Sequence, residues 1–183
     1  MKPLLALGVL LALACPSLCA AGVAAMTIPP GNYALKLEGS PLRDPTGAVH
    51  TDAEVRGKVA ALIFSVPDPS QGGRQQRWAE ALADDPATRL PKAAALVLIE
   101  DMAQSGFAAM ARDDMKRQFT PGSRPFLLLD ETGAITKRFG VPRDRTQILV
   151  YDRDGALRHV ETADPSPEAA ARVKRAVATL LIE

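Results

Sequence analysis

The chain is short of cysteine. Its 183 residues include two, Cys15 and Cys19, and both precede Ala20. A chain processed after Ala21 would contain no disulfide and would depend on the burial of apolar side chains for its stability. It would also have no thiol, so cysteine-based catalysis and redox exchange would have no group to act through.

Long hydrophobic runs are also scarce, and the single one near the N-terminus indicates export. Lys2 precedes an apolar run of 11 residues, Leu4 to Ala14, and small residues follow Pro16. This is the layout of a signal peptide, and the run is too short for a permanent membrane span. We predict a signal peptide over residues 1–21, cleaved after Ala21, and a periplasmic or secreted protein without stable membrane insertion.

Cleavage after Cys19 or Ala25 and acylation of Cys15 are the alternatives. Acylation would make the chain a lipid-anchored envelope protein. The residues before the cysteine, 12–14, read Ala-Leu-Ala, with no leucine three positions upstream, and Pro16 follows it. The sequence therefore favours simple cleavage.

The chain has no excess charge of one sign and little histidine. It has 22 basic and 21 acidic residues, and loss of Lys2 leaves 21 of each. This balance indicates neither nucleic acid nor an anionic membrane as a partner. His50 and His159 have no second ligand at metal-site spacing, so we predict no metal and no cofactor. Asp152 to Gly155 superficially matches a calcium loop, but Ala163 stands at the twelfth position, so a hairpin turn is favoured.

Apolar periodicity predicts one α/β domain over residues 42–183, after an extended lead-in and first strand over 22–41. Strands alternate with helices, which requires a parallel core, and a terminal hairpin adds antiparallel edges. Turn residues lie over 41–47, and a short strand plus a turn is predicted over 48–54. Further predicted strands are 59–66, 93–99, 126–129, 148–151 and 156–160. The predicted helices are 75–85, one after Ser105 and one capped by Ser166, and 135–139 is a short amphipathic stretch. In the helix after Ser105, one apolar face is shared by Phe107, Met110, Ala111 and Met115.

Three segments together resemble the thioredoxin-like superfamily, in the branch that holds the TlpA-type redoxins and the peroxiredoxins. They are residues 42–64, 124–141 (RPFLLLDETGAITKRFGV) and 146–157 (TQILVYDRDGAL). The resemblance implies a three-layer sandwich whose mixed central sheet has a parallel core and a C-terminal β-hairpin plus helix. Among cysteine-less relatives, the chain resembles the YtfJ family of small periplasmic proteins.

The resemblance also locates the family's active site, and this chain lacks its reactive groups. The two redox cysteines would fall near Pro69 and Gly72, and the family's cis-proline near Thr146. A Pro-Ser-Gln-Gly segment thus replaces Cys-x-x-Cys. The implied function is a non-catalytic binding or accessory module whose partner is an unknown envelope protein or peptide. The alternative is a redoxin-type thiol-disulfide or peroxide oxidoreductase by descent.

Candidate binding residues follow from the same placement. In redox-active relatives two loops, here 67–73 and 143–147, form the groove that grips an extended chain. No catalytic residue is assigned, because a nucleophilic Ser70 would need a nearby histidine base, and a loop or capping role is favoured. The predicted binding residues are Pro69, Ser70, Gln71, Gly72, Arg74, Arg145 and Thr146.

Overall fold

A computed structural model describes residues 42–71, 73–142 and 144–183. Seven strands and four α-helices follow one another in these ranges. The strands are β1 Leu42–Arg43, β2 Val49–His50, β3 Ala60–Ser65, β4 Ala95–Asp101, β5 Phe126–Asp130, β6 Gln147–Tyr151 and β7 Leu157–Glu161. The helices are α1 Arg74–Ala83, α2 Ala108–Gln118, α3 Ala134–Arg138 and α4 Pro167–Ile182.

The strands form one mixed sheet in the order β2-β1-β5-β4-β3-β6-β7. The central strands β3, β4 and β5 are parallel, with Ala60 opposite Ala95 and Val97 opposite Phe126. Strand β6 lies antiparallel to β3, and β7 returns beside β6 as the predicted hairpin. The predicted α/β fold class with a parallel core is confirmed.

Both faces of the sheet are covered, which is why β3 is an unbroken apolar run and is buried at every position. One face carries Leu62 and Phe64 and packs against Ile135 and Phe139, at α3. The other carries Ala61 and Ile63 and packs against α1 and α4. Helix α4 begins as predicted, with Ser166 accepting a hydrogen bond from the Ala169 amide and Pro167 in the first turn.

Helix α2 follows Ser105 as predicted, and the four residues predicted to share its apolar face line one cavity. Its apolar face does not enter the core: no residue of the helix is buried, and Phe107 and Met110 are 45% and 61% exposed. Ser105 is not the residue next to its first turn, because Phe107 occupies the N-cap position. The Ser105 hydroxyl instead donates to the Pro67 carbonyl and accepts from the Phe107 amide. The helix is amphipathic, but its apolar face lies beside a cavity and not in the core.

Of the hairpin formed by β1 and β2, the sequence predicts the second strand, within 48–54, but not the first, because residues 42–43 lie among the turn residues of 41–47. Its turn is fixed by Asp44, whose carboxylate accepts hydrogen bonds from the Thr46 hydroxyl and from backbone amides. The predicted signal peptide and the lead-in, residues 1–41, lie outside the described residues. In the described ranges no helix has both the length and the apolar character needed to cross a bilayer.

Candidate functional site

The site that the sequence predicts lies at the carboxyl end of β3. The strand ends at Ser65, a short 3₁₀ turn covers Pro69–Gln71, and α1 begins at Arg74. Gln147 pairs with Phe64 at this same end of the sheet, so the segment 144–147 lies beside the turn. The chain therefore brings the two predicted loops together at the end of the central strand.

Arg74 ties these loops to each other. Its guanidinium donates to the Gln71 side-chain oxygen at 3.0 Å and to the Asp144 carbonyl at 3.2 Å. Its Nε lies 2.8 Å from the carboxylate of Asp164. The Arg74 guanidinium thus already lies against a carboxylate of this chain, and Arg74 acts here as a positioning residue.

The turn itself has polar groups but no nucleophilic apparatus. Ser70 is exposed, and its backbone amide donates to Asp68 Oδ1 at 2.8 Å. The N-cap of α1 is Gly73, at φ 66°, so Ser70 takes the loop role rather than the capping role. Gly72, also predicted to belong to the site, lies outside the described residues.

On the other side of the turn, Arg145 and Thr146 have opposite environments. Arg145 is half exposed, and its Nε is 3.4 Å from Asp144 Oδ1, a loose surface pair. Thr146 is 1% exposed, and its hydroxyl has no hydrogen-bond partner among the described residues. The Arg145–Thr146 peptide is not cis; in the part of the chain described, the single cis bond is Arg124–Pro125.

A buried acid lies beneath this end of the sheet, and sequence reasoning missed it. Glu100, at the end of β4, is 1% exposed and accepts a hydrogen bond of 2.7 Å from the Ser65 hydroxyl. Burial raises the pKa of Glu100 to about 7, although the hydrogen bond from Ser65 opposes the rise. The sequence does contain a signal for this acid, because Glu100 directly follows the apolar run 95–99 and so continues a strand that is buried.

A cavity of about 440 Å³ opens between the turn and α2. Its apolar wall consists of Pro67 and Pro69 on one side and Phe107, Met110 and Met115 on the other. We call this cavity the strand-end groove. The segment 144–147 does not line it, so the exposed face of α2 takes the place on the wall that the sequence assigned to residues 143–147.

Neither histidine is placed to serve Ser70. His50 lies on β2, where its ring nitrogens contact Glu54 Oε1 at 2.9 Å and Asp44 Oδ2 at 3.1 Å. His159 lies on β7 at the other edge of the sheet. Within the described ranges no group of three histidine, cysteine or acidic side chains is arranged to hold a metal ion.

Comparisons with known proteins identify the fold but no family. No family model matches the chain, and no curated protein is significantly similar to it. A secreted disulfide oxidoreductase of Mycobacterium tuberculosis, homologous to E. coli DsbE, matches with a TM-score of 0.52 at 22% identity, over 80% of this chain and 98% of its own.

Two further structures agree. DsbF of M. tuberculosis, solved in mixed oxidised and reduced forms, matches at 19% identity and a TM-score of 0.54, over 80% of this chain and 96% of that one. StoA of Bacillus subtilis matches at 13% identity and a TM-score of 0.50, over 74% and 93%. At these identities the likeness establishes a thioredoxin-like fold, so the resemblance read from the sequence is confirmed at the level of the fold.

Proposed function

We propose that the protein is an exported, non-catalytic thioredoxin-like module that binds an extended polypeptide segment in the strand-end groove. One observation carries the proposal. Phe107 and Met110 leave large apolar surfaces open beside the turn Pro69–Gln71, and the two walls enclose about 440 Å³. Exposed apolar surface next to a concave site is the feature that favours a binding partner.

The chemistry of the turn supports binding rather than catalysis. Pro69 stands where a redox relative would carry its first cysteine, and no thiol follows Cys19 in the sequence. Ser70 has no histidine beside it, since His50 and His159 lie at the two edges of the sheet. The residues present can position a chain, but they cannot exchange electrons or form an acyl intermediate.

The occupant we favour is a segment with one large apolar side chain as its anchor. The groove offers proline, phenylalanine and methionine walls, and methionine adapts to anchors of different shape. Charged residues at its margin, Asp68, Asp114 and Arg117, would contact polar groups that flank the anchor. An unfolded or extended segment of an envelope protein has this chemistry.

Selection from a displayed random-peptide library on the chain 22–183 tests the proposal. Peptides that bind the native form are expected to lose at least about tenfold in affinity for the Phe107→Ser/Met110→Ser variant, because the α2 wall of the groove loses two exposed apolar side chains. Ile182→Ser is the matched control, since Ile182 is 88% exposed and remote in sequence from the groove. Equal affinity for all three proteins would remove the groove from consideration. Arg145→Glu tests whether the segment 144–147 contributes to binding.

The oxidoreductase alternative rests on the fold of the structural neighbours. It requires a thiol supplied by Cys15 or Cys19, so it predicts N-terminal retention of one of them in the exported form. Our proposal expects no insulin or peroxide reduction by purified protein that begins after Ala21. Turnover by that protein would favour the alternative, whereas palmitate labelling that is lost in Cys15→Ser would favour the lipid-anchored form.

We further propose a place among the cysteine-less periplasmic proteins of the YtfJ family. The supporting features are the N-terminal segment 1–21, the replacement of both redox positions, and the closing hairpin and helix. Fractionation of the native cells tests the compartment: the processed protein is expected in the periplasmic or secreted fraction, and recovery with the membranes would contradict it.

A further inference from the structure

A second cavity, of about 880 Å³, lies at the opposite end of the parallel strands. Its walls come from the segment between α1 and β4, from the residue two positions before β5 and from the middle of α4. Four of the described residues that line it are cationic, and none is acidic. They are Arg89, Lys92, Arg124 and Lys174. We call it the basic cavity.

Two of the cations are held in place by neutral groups. Arg124 donates to the carbonyls of Leu90, Pro91 and Ala94 at 3.0, 2.9 and 3.3 Å. Lys174 Nζ donates to the Ala87 carbonyl at 2.8 Å. Carbonyl oxygens orient these groups without neutralising them, so both remain full positive charges at the wall.

The other two cations have no partner within the described chain. Arg89 and Lys92 are exposed, and neither side chain makes a hydrogen bond or ion pair there. The carboxylate of nearby Asp85 accepts a hydrogen bond of 2.8 Å from the Ala87 amide. Several arginines elsewhere on the molecule lie against a carboxylate, as Arg112 does with Glu131.

Hydrogen bonds fix the backbone of the segment that carries Arg89 and Lys92. The Leu90 amide donates to the Leu82 carbonyl at 2.8 Å, and the Thr88 hydroxyl to the Ala81 carbonyl at 2.7 Å. Leu90 itself is 2% exposed and belongs to the core beneath α1 and α4. The backbone of the cavity wall is therefore organised before any ligand arrives, which lowers the entropic cost of binding.

We propose that the basic cavity binds an anionic ligand that carries at least two phosphate groups. Four positive charges around one cavity exceed what one carboxylate can neutralise, whereas a diphosphate brings comparable negative charge and several acceptor oxygens. Arginine forks suit phosphate oxygens, and lysine supplies compact charges beside them. The volume falls within the range of about 300–1,000 Å³ typical of small-molecule sites. The phosphates could belong to a soluble compound or to a lipid headgroup, and the test separates these sources.

Calorimetric titration of the chain 22–183 with inorganic tripolyphosphate, at fixed ionic strength, is the first arm. Arg89→Glu/Lys92→Glu is expected to weaken binding by at least about tenfold, since each substitution replaces an attraction with a repulsion. The control is Lys116→Glu/Lys137→Glu, which makes the same change of four charge units at exposed positions on α2 and α3. Thermal unfolding verifies that both variants fold.

The second arm measures sedimentation with cardiolipin vesicles and with neutral phosphatidylcholine vesicles. Saturable tripolyphosphate binding that only the cavity variant loses supports the proposal with a soluble source. Cardiolipin binding that only the cavity variant loses supports it with a lipid source. Absence of binding to both probes, or equal weakening in the cavity and control variants, would overturn it.

Discussion

Arginines near the carboxyl end of the central strands and the cations of the basic cavity at the amino end are held in different ways. At the carboxyl end Arg74, Arg112 and Arg145 each lie against a carboxylate. At the amino end Arg124 and Lys174 contact only neutral carbonyls, among the contacts described. A chain with balanced total charge can therefore carry a strongly basic cavity, because the balance is not local.

The ends also differ in what is buried. The carboxyl end holds an acid, Glu100, inside the protein and leaves apolar Phe107 and Met110 outside. The amino end buries apolar Leu90 and exposes cations. The first arrangement suits an apolar anchor and the second an anion, so one small domain offers two chemically distinct surfaces.

The largest expected effect comes from the buried acid. The pKa of Glu100 is raised to about 7, above its unfolded value, so its protonated form favours the folded state and that stability is lost as pH rises from about 4.5 to 7. Glu100→Gln should remove this loss, which is on the order of 3 kcal/mol. Urea unfolding at pH 5 and pH 8 measures the difference between the two proteins.

Ser65→Ala serves as the companion variant. The Ser65 hydroxyl stabilises the ionised form of Glu100, so its removal should move the pH window upward. Identical pH profiles of stability for the wild type and Glu100→Gln would show that burial does not raise the pKa of Glu100.

A smaller effect is expected at the amino end. Arg124→Met leaves three partly buried carbonyls without their donor and should lower the free energy of unfolding by about 2 kcal/mol. Arg124→Lys keeps the charge but loses the fork, so it should recover only part of that loss. Chemical denaturation of the three proteins gives the order, and full recovery by lysine would show that charge alone matters there.

The hairpin formed by β1 and β2 gives a third test, with an expected change in the free energy of unfolding of about 1 kcal/mol. Burial works to lower the pKa of His50, but hydrogen bonds to Glu54 and Asp44 outweigh it and raise the pKa. The stabilisation is therefore present below pH 6.5 and is lost as pH rises through the folded value. The stability difference between the wild type and His50→Gln should be larger at pH 6 than at pH 9. A constant difference would assign the effect to packing against Phe126, whose ring centroid lies 4.7 Å away.

The smallest effect on stability is expected in the strand-end groove. Phe107→Ser and Met110→Ser remove side chains that are largely exposed already, so each should change the free energy of unfolding by less than about 0.5 kcal/mol. Thermal denaturation measures it. A loss comparable to that of a core residue would mean that α2 packs more closely than its exposure indicates.

Sequence periodicity predicted the elements well where burial is complete. The predicted runs around β3 and β4 lie in the core, and Val173 and Val177 of the predicted C-terminal helix lie there too. Periodicity predicted α2 and its apolar face but not the exposure of that face, because an amphipathic pattern indicates a face but not what covers it. The apolar face of α2 lines a cavity, which only the tertiary arrangement reveals.

The two sites were predictable to different degrees. The turn Pro69–Gln71 could be found because it follows a buried strand and precedes a helix. The basic cavity could not, since Arg89, Arg124 and Lys174 come from distant parts of the chain and their convergence depends on the fold. Overall composition does not indicate the basic cavity, because acidic residues elsewhere balance its positive charge.

The most direct test of two separate surfaces is a pair of amide-shift titrations on one isotope-labelled sample of the chain 22–183. A library-selected peptide should shift the amides of Gln71, Gly73 and Phe107 and leave Arg89 and Lys92 unchanged, and tripolyphosphate should do the reverse. Overlapping shifts from the two probes, or shifts confined to one end with both, would contradict the account.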